Sequence, residues 1–81
     1  MNYHCTKESD LDELVGHDGA TGYFYGPVCD AMRNNEALVL EDSAALSMVV
    51  LAKLQNFLHG VFIPETGERI EAPADFRVVL E

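Results

Sequence analysis

Two adjacent carboxylates, Glu41 and Asp42, close the apolar run Ala37-Leu38-Val39-Leu40. A short hydrophobic strand that delivers acidic side chains at its C-terminal end is how nucleotide-hydrolysing α/β folds hold a magnesium ion and position an attacking water. The phosphate-holding half of such a site has no counterpart in the sequence. The pattern G-x-x-x-x-G-K-[ST] needs a lysine followed by Ser or Thr, whereas Lys7 precedes Glu8, Lys53 precedes Leu54, and neither follows the required glycines. Gly16, Gly19 and Gly22 do not match G-x-G-x-x-G and follow no convincing strand. The histidines are scattered at 4, 17 and 59. Hydrolysis by paired carboxylates with His17 or His59 therefore rests on residue types alone, and spacing defines no Ser-His-Asp or Cys-His arrangement. Cys5 and Cys29 are too few for a disulfide framework or a four-ligand zinc site and are read as reduced, structural thiols.

The elements that would position these groups belong to one small domain. A chain of 81 residues buries roughly 60 % of the surface its unfolded form exposes, so partner surface would help it. Hydrophobic residues make up 48 % and charged residues 23 %, a globular rather than a disordered balance. Fourteen acidic against five basic residues give a net charge of −9, which repels phosphate backbones and anionic membrane surfaces and argues against nucleic-acid binding. The richest apolar run, Ala44 to Leu58, is broken by Ser47, Lys53, Gln55 and Asn56, so no segment is expected to span a bilayer. Met1-Asn2-Tyr3-His4-Cys5 lacks the basic-then-apolar order of a signal peptide, and a cytoplasmic location is expected.

Along the chain, Tyr3 to Cys5 is a strand candidate, and Ser9 with Asp12 three residues later reads as the cap of a brief helix through Leu11, Leu14 and Val15. Gly16 to Gly22 is glycine-rich enough to be a loop. Tyr23-Phe24-Tyr25 reads as a strand that Gly26-Pro27 turns into a second helix with Val28, Ala31 and Met32 on one face. Ala37 to Leu40 has the continuous apolar character of a central parallel strand buried on both faces. Ser43 is expected to cap the longest helix, in which Leu46, Val50, Leu54, Phe57 and Leu58 follow one stripe while Met48, Val49 and Leu51 spread apolar surface onto a second. Val61 to Pro64 and Glu68 to Ala72 read as a hairpin, and Phe76 to Leu80 as the last strand. The expected fold is α/β: a small, mostly parallel three-stranded sheet with flanking helices and a β-hairpin. Glu41 and Asp42 then lie at the carboxyl end of the central strand, where open α/β sheets bind ligands.

Several of these segments, in order and over nearly the whole chain, resemble the AAA+ ATPases of the MoxR-like and dynein-related kind, the group that includes midasin modules and cobalt-chelatase-type ATPases. Cys5 to Gly16 looks like the family's second strand and its T-D-L-x-E-L-x-G segment, and Gly26-Pro27-Val28-Cys29-Asp30-Ala31-Met32-Arg33-Asn34 resembles its d-G-P-l-x-x-A-m-r-x-G segment. Leu38 to Ser43 is similar to the Walker B strand. Ile63-Pro64-Glu65-Thr66-Gly67-Glu68 and Asp75-Phe76-Arg77-Val78 are similar to the insert hairpin and the fourth strand. The resemblance implies a truncated AAA+-like core, covering the middle of an ATPase domain between the Walker A loop and the sensor residues, whether as a fragment or as a stand-alone product. One departure bears on chemistry. The family's Walker B strand ends Asp-Glu, and here the order is Glu41-Asp42, which moves each carboxylate by one methylene and disturbs in-line geometry.

These readings give the expectation of a non-catalytic interaction or assembly protein that needs no cofactor. It is expected to form a homodimer or to dock on an AAA+ or other protein partner. The surfaces singled out are the last strand, with Phe76, Val78, Val79 and Leu80, and the helix residues Met48, Val49 and Leu51. The alternative is a vestigial magnesium- or nucleotide-binding fragment that uses Glu41 and Asp42.

Overall fold

Residues 1–81 are described by a computed structural model. Its centre is a parallel sheet of three strands, β1 (Asn2–His4), β4 (Leu38–Glu41) and β7 (Val78–Leu80), in the order β1-β4-β7. Two antiparallel hairpins stand apart from it: β2 (Gly16–Gly19) with β3 (Gly22–Tyr25), and β5 (Gly60–Ile63) with β6 (Glu68–Glu71). The helices are α1 (Leu11–Leu14), α2 (Pro27–Arg33) and α3 (Met48–Leu54). The expected mixed α/β architecture, the parallel sheet with its middle strand and the β5–β6 hairpin are all present.

Register fixes which side chains share a face. Leu38 pairs with Val78, Leu40 pairs with both Tyr3 and Leu80, and these five residues lie on one side of the sheet. Leu38 and Leu40 are wholly buried there, in a core with Cys5, Leu14, Val28, Cys29, Leu54, Val61 and Ile63. The opposite side carries Asn2, His4, Val39, Glu41 and Val79. None of these is buried. The expectation that Ala37 to Leu40 is covered on both faces is therefore corrected: the helices cover one face, and Val39 is only half-buried.

Three local readings also change. Gly16 to Gly19 is a strand and not a loop, because its backbone pairs with β3 from Gly16–Tyr25 to Gly19–Gly22. At Gly16 the backbone adopts φ +148°, and an added Cβ would lie 2.5 Å from the Phe24 carbonyl oxygen. Only glycine fits that approach. Asp10, and not Ser9, caps α1 by accepting from the Glu13 amide. Buried Ser9 instead accepts from the Thr6 amide at 3.0 Å and lies 3.1 Å from the Tyr3 hydroxyl.

Ser43 does not cap a helix running to Leu58. It opens a 3₁₀ turn, Ser43–Ala45, and Ser47 caps the seven-residue α3 by accepting from the Val50 amide at 3.1 Å. A second 3₁₀ turn, Gln55–Phe57, follows. Burial of Leu46 between the two serines draws the chain inward and delays helix entry by one turn. Met48 and Val49 are left 83 % and 61 % exposed.

Candidate functional site

β4 carries its carboxylates to the sheet's carboxyl end as the sequence implies. Glu41 is its last residue, and Asp42 follows in the left-handed region at φ 54°, a conformation that aspartate tolerates better than most residues. That turn swings the chain out of the strand and into the Ser43–Ala45 turn. Both carboxylates meet polar residues of β1, which sequence reasoning did not single out as partners. The Asn2 amide donates to Glu41 Oε2 at 2.9 Å. His4 sits with Nε2 3.2 Å from Asp42 Oδ2 and Nδ1 3.8 Å from Glu41 Oε1. The parallel register that sets His4 opposite Glu41 produces this cluster. His17 and His59 are not part of it. The His17 ring lies 3.0 Å from the Asp12 carbonyl oxygen and tilts against Phe24, while His59 precedes β5.

Two carboxylates are what a protein usually contributes to magnesium in a nucleotide site, the rest of the shell coming from phosphates and water. The phosphates need their own cradle of free amides. The glycine cluster at 16–22 does not supply one, since it forms the β2–β3 hairpin. No group of three or more His, Cys, Asp or Glu side chains is arranged to hold a metal ion. The end of β4 thus brings two carboxylates within reach of one histidine, and the glycines of the β2–β3 hairpin form no phosphate cradle.

A second feature lies at the sheet edge. The Leu38 amide donates to the Arg77 carbonyl at 3.0 Å, the Glu81 amide to the Leu40 carbonyl at 2.9 Å, and the Ser43 amide to the Glu81 carbonyl at 2.8 Å. Backbone groups alternate along a strand, so residues 77, 79 and 81 face β4 while the amides and carbonyls of Val78 and Leu80 point outward along the open edge. Beside that edge runs an apolar groove of about 230 Å³, lined by Val78 and Leu80 of β7 and by Leu51, Leu54, Gln55 and Leu58 from α3 and the turn after it. A larger, open hollow of about 530 Å³, formed by Leu58, Phe76, Arg77, Val78 and neighbours, shares Leu58 and Val78 with it. Leu80 is 56 % exposed. Of the surface residues expected from sequence, Leu51, Val78 and Leu80 line the groove and Phe76 the hollow, Val79 lies on the opposite face, and Met48 and Val49 stand exposed on α3. Leu58 belongs to the groove, whereas its periodicity places it only on a core stripe.

The two cysteines are free and buried. Cys29 donates its thiol to the Val15 carbonyl oxygen at 3.2 Å, and burial pushes its pKa up to about 11. Burial, and to a smaller degree the Asp42 charge, also raises the Cys5 thiol. Both keep their protons at neutral pH and are poor nucleophiles. No helix is long and apolar enough to cross a membrane. No protein-family model matches the chain, and no curated protein matches it.

Proposed function

We propose that the chain is a non-catalytic interaction and assembly module built on a AAA+-like core segment. The observation that carries this reading is the open β7 edge, where unpaired backbone groups lie alongside an apolar groove. Natural sheets cover, charge or twist such edges because they recruit other strands. The other outer strand, β1, has a different character: its outward-facing residues are Asn2 and His4, both tied to the β4 carboxylates. Light scattering and sedimentation across a wide concentration range test the reading. Reversible growth in mass without added nucleotide is the expected result, and a monomer at every concentration overturns it.

The Glu41-Asp42 pair at the carboxyl end of the central parallel strand favours a second reading, a vestigial magnesium–nucleotide binder. Calorimetry with magnesium ATP separates the two. The assembly reading expects no saturable heat, whereas a micromolar isotherm weakened by Asp42→Asn supports the vestigial site.

A further inference from the structure

We infer that the occupant of the β7 edge is a second copy of this chain, paired antiparallel through a two-fold axis at Val79 so that Arg77 of each copy meets Glu81 of the other. This inference rests on the assembly reading and assigns its surface and register. Because Val78 and Leu80 turn their amides and carbonyls outward, they must form the hydrogen-bonded pairs of any new ladder. A two-fold axis relates antiparallel strands. The register centred on Val79 sets Val78 opposite Leu80 of the second copy, and the reciprocal pair completes four backbone hydrogen bonds. A shift by one residue would bring inward-facing groups opposite outward-facing ones and lose them.

The same register is self-complementary in charge. Arg77 and Glu81 flank the strand symmetrically, two residues either side of Val79; both are exposed, and neither forms a salt bridge within the chain. Antiparallel pairing about Val79 places each arginine directly across from a glutamate, twice per dimer. Opposite charges facing each other across strands stabilise a sheet, and like charges oppose pairing. This matters in a chain of net charge −9, where two copies repel unless the contact itself is locally neutral. On the other face, Leu80 of the second copy stands next to Val78, on the side where Leu51, Leu54 and Leu58 line the groove. The joined sheet would run β1-β4-β7 into the same three strands in reverse. An ordinary stable interface covers about 800 Å² per partner, roughly one sixth of the 5062 Å² surface of the chain, so the groove must contribute beside the short strand.

The β1 edge offers no equivalent. In the equivalent register, centred on Tyr3, Asn2 stands opposite His4 and Met1 opposite the buried Cys5, so no acidic residue meets a basic one across the two-fold axis. A β7-to-β1 contact would be head-to-tail and would grow into open chains instead of closing at two copies.

The test compares the wild type with Arg77→Glu, Glu81→Arg, the double exchange, and Leu80→Pro, each by light scattering with circular dichroism to verify folding. The wild type should reach twice the 8.9 kDa chain mass. Each single reversal should weaken the dimer by about tenfold or more, since each contact occurs twice, and the double exchange should return it to within about threefold of wild type. Leu80→Pro removes an outward amide that the folded chain does not use internally, and it should abolish the dimer while the fold persists. A dimer indifferent to all four changes overturns this register and leaves the assembly reading intact. A wild-type monomer overturns both. Open-ended growth beyond two copies overturns the two-fold pairing in favour of a head-to-tail edge.

Discussion

Arg33, at the end of α2, forms a salt bridge with Glu68, the first residue of β6, thirty-five residues further along the chain. The guanidinium also lies 4.0 Å from the centroid of the Tyr25 ring, and the Tyr25 hydroxyl donates to the same carboxylate at 2.7 Å. One cation, one anion and one phenol thereby tie the β5–β6 hairpin to α2 and β3. The hydrogen bond from Tyr25, followed by that from Arg33, holds the Glu68 carboxyl below its usual value of 4.5. A carboxyl with a lowered folded-state pKa contributes stability that is present above its unfolded value and is lost as pH falls through the folded one. Urea unfolding followed from neutral to acid pH should show such a loss beginning below about pH 4.5. Glu68→Gln should flatten that part of the profile; an unchanged profile would mean the cluster contributes nothing to stability.

At the alkaline end the direction reverses. Burial raises Cys29 from 9.0 to about 11, so folding favours the neutral thiol. This contribution is fully present below the unfolded value and is lost as pH rises through about 11. Stability should therefore decline between pH 9 and 11 more steeply in the wild type than in Cys29→Ala. Thiol labelling at neutral pH should be slow for both cysteines until the chain is unfolded.

Gly26 caps α2 where no other residue fits. A Cβ there would lie 2.4 Å from the Glu13 carbonyl oxygen and 2.5 Å from that of Leu14. Both are backbone atoms that cannot swing aside. Gly26→Ala should cost about 3 kcal/mol or more and leave little cooperative melting. Gly67→Ala provides the contrast, because a Cβ there meets nothing within 4 Å and the cost arises only from φ +71°, about 1 kcal/mol. Equal effects from the two variants would refute the packing argument.

Removing both charges at the end of β4 should be nearly neutral. Glu41 and Asp42 retain 41 % and 71 % side-chain exposure, and their contact with His4 is a surface pair. Glu41→Gln with Asp42→Asn should change stability by less than about 1 kcal/mol, since asparagine also tolerates the left-handed backbone. A larger loss in chemical denaturation, reversed by magnesium, would identify an ion site instead.

What the sequence made legible was the part encoded locally. The apolar run ending in Glu41-Asp42 marked β4, Gly26-Pro27 marked the start of α2, and the alternation in Glu68 to Ala72 marked β6. β2 was illegible because Gly16-His17-Asp18-Gly19 contains no residue that favours a strand; pairing with Tyr23, Phe24 and Tyr25 imposes the extended form. The choice between Ser43 and Ser47 as helix cap depended on the burial of Leu46, a tertiary fact. The partners of the carboxylates were hidden for a similar reason. Asn2 and His4 reach Glu41 and Asp42 only through the parallel register of β1 on β4, and nothing in their local spacing announces it. A signal for the edge did exist: Arg77-Val78-Val79-Leu80-Glu81 is apolar between opposite charges, a pattern that reads as complementary to its own reverse.

The β1-β4-β7 order also makes the sheet depend on distant pairings on both sides of its middle strand. The two hairpins join neighbouring residues and can close in about microseconds. The sheet cannot, because each side of β4 must wait for a distant strand; 36 residues separate Met1 from Ala37, whose carbonyl accepts from the terminal amine. Non-local parallel pairing of this kind is slow. In any molecule whose β7 is not yet docked, β4 presents a bare edge that fits a copy of β7 from another molecule. A concentrated refolding mixture therefore favours exchange, in which the last strand of one molecule completes the sheet of another.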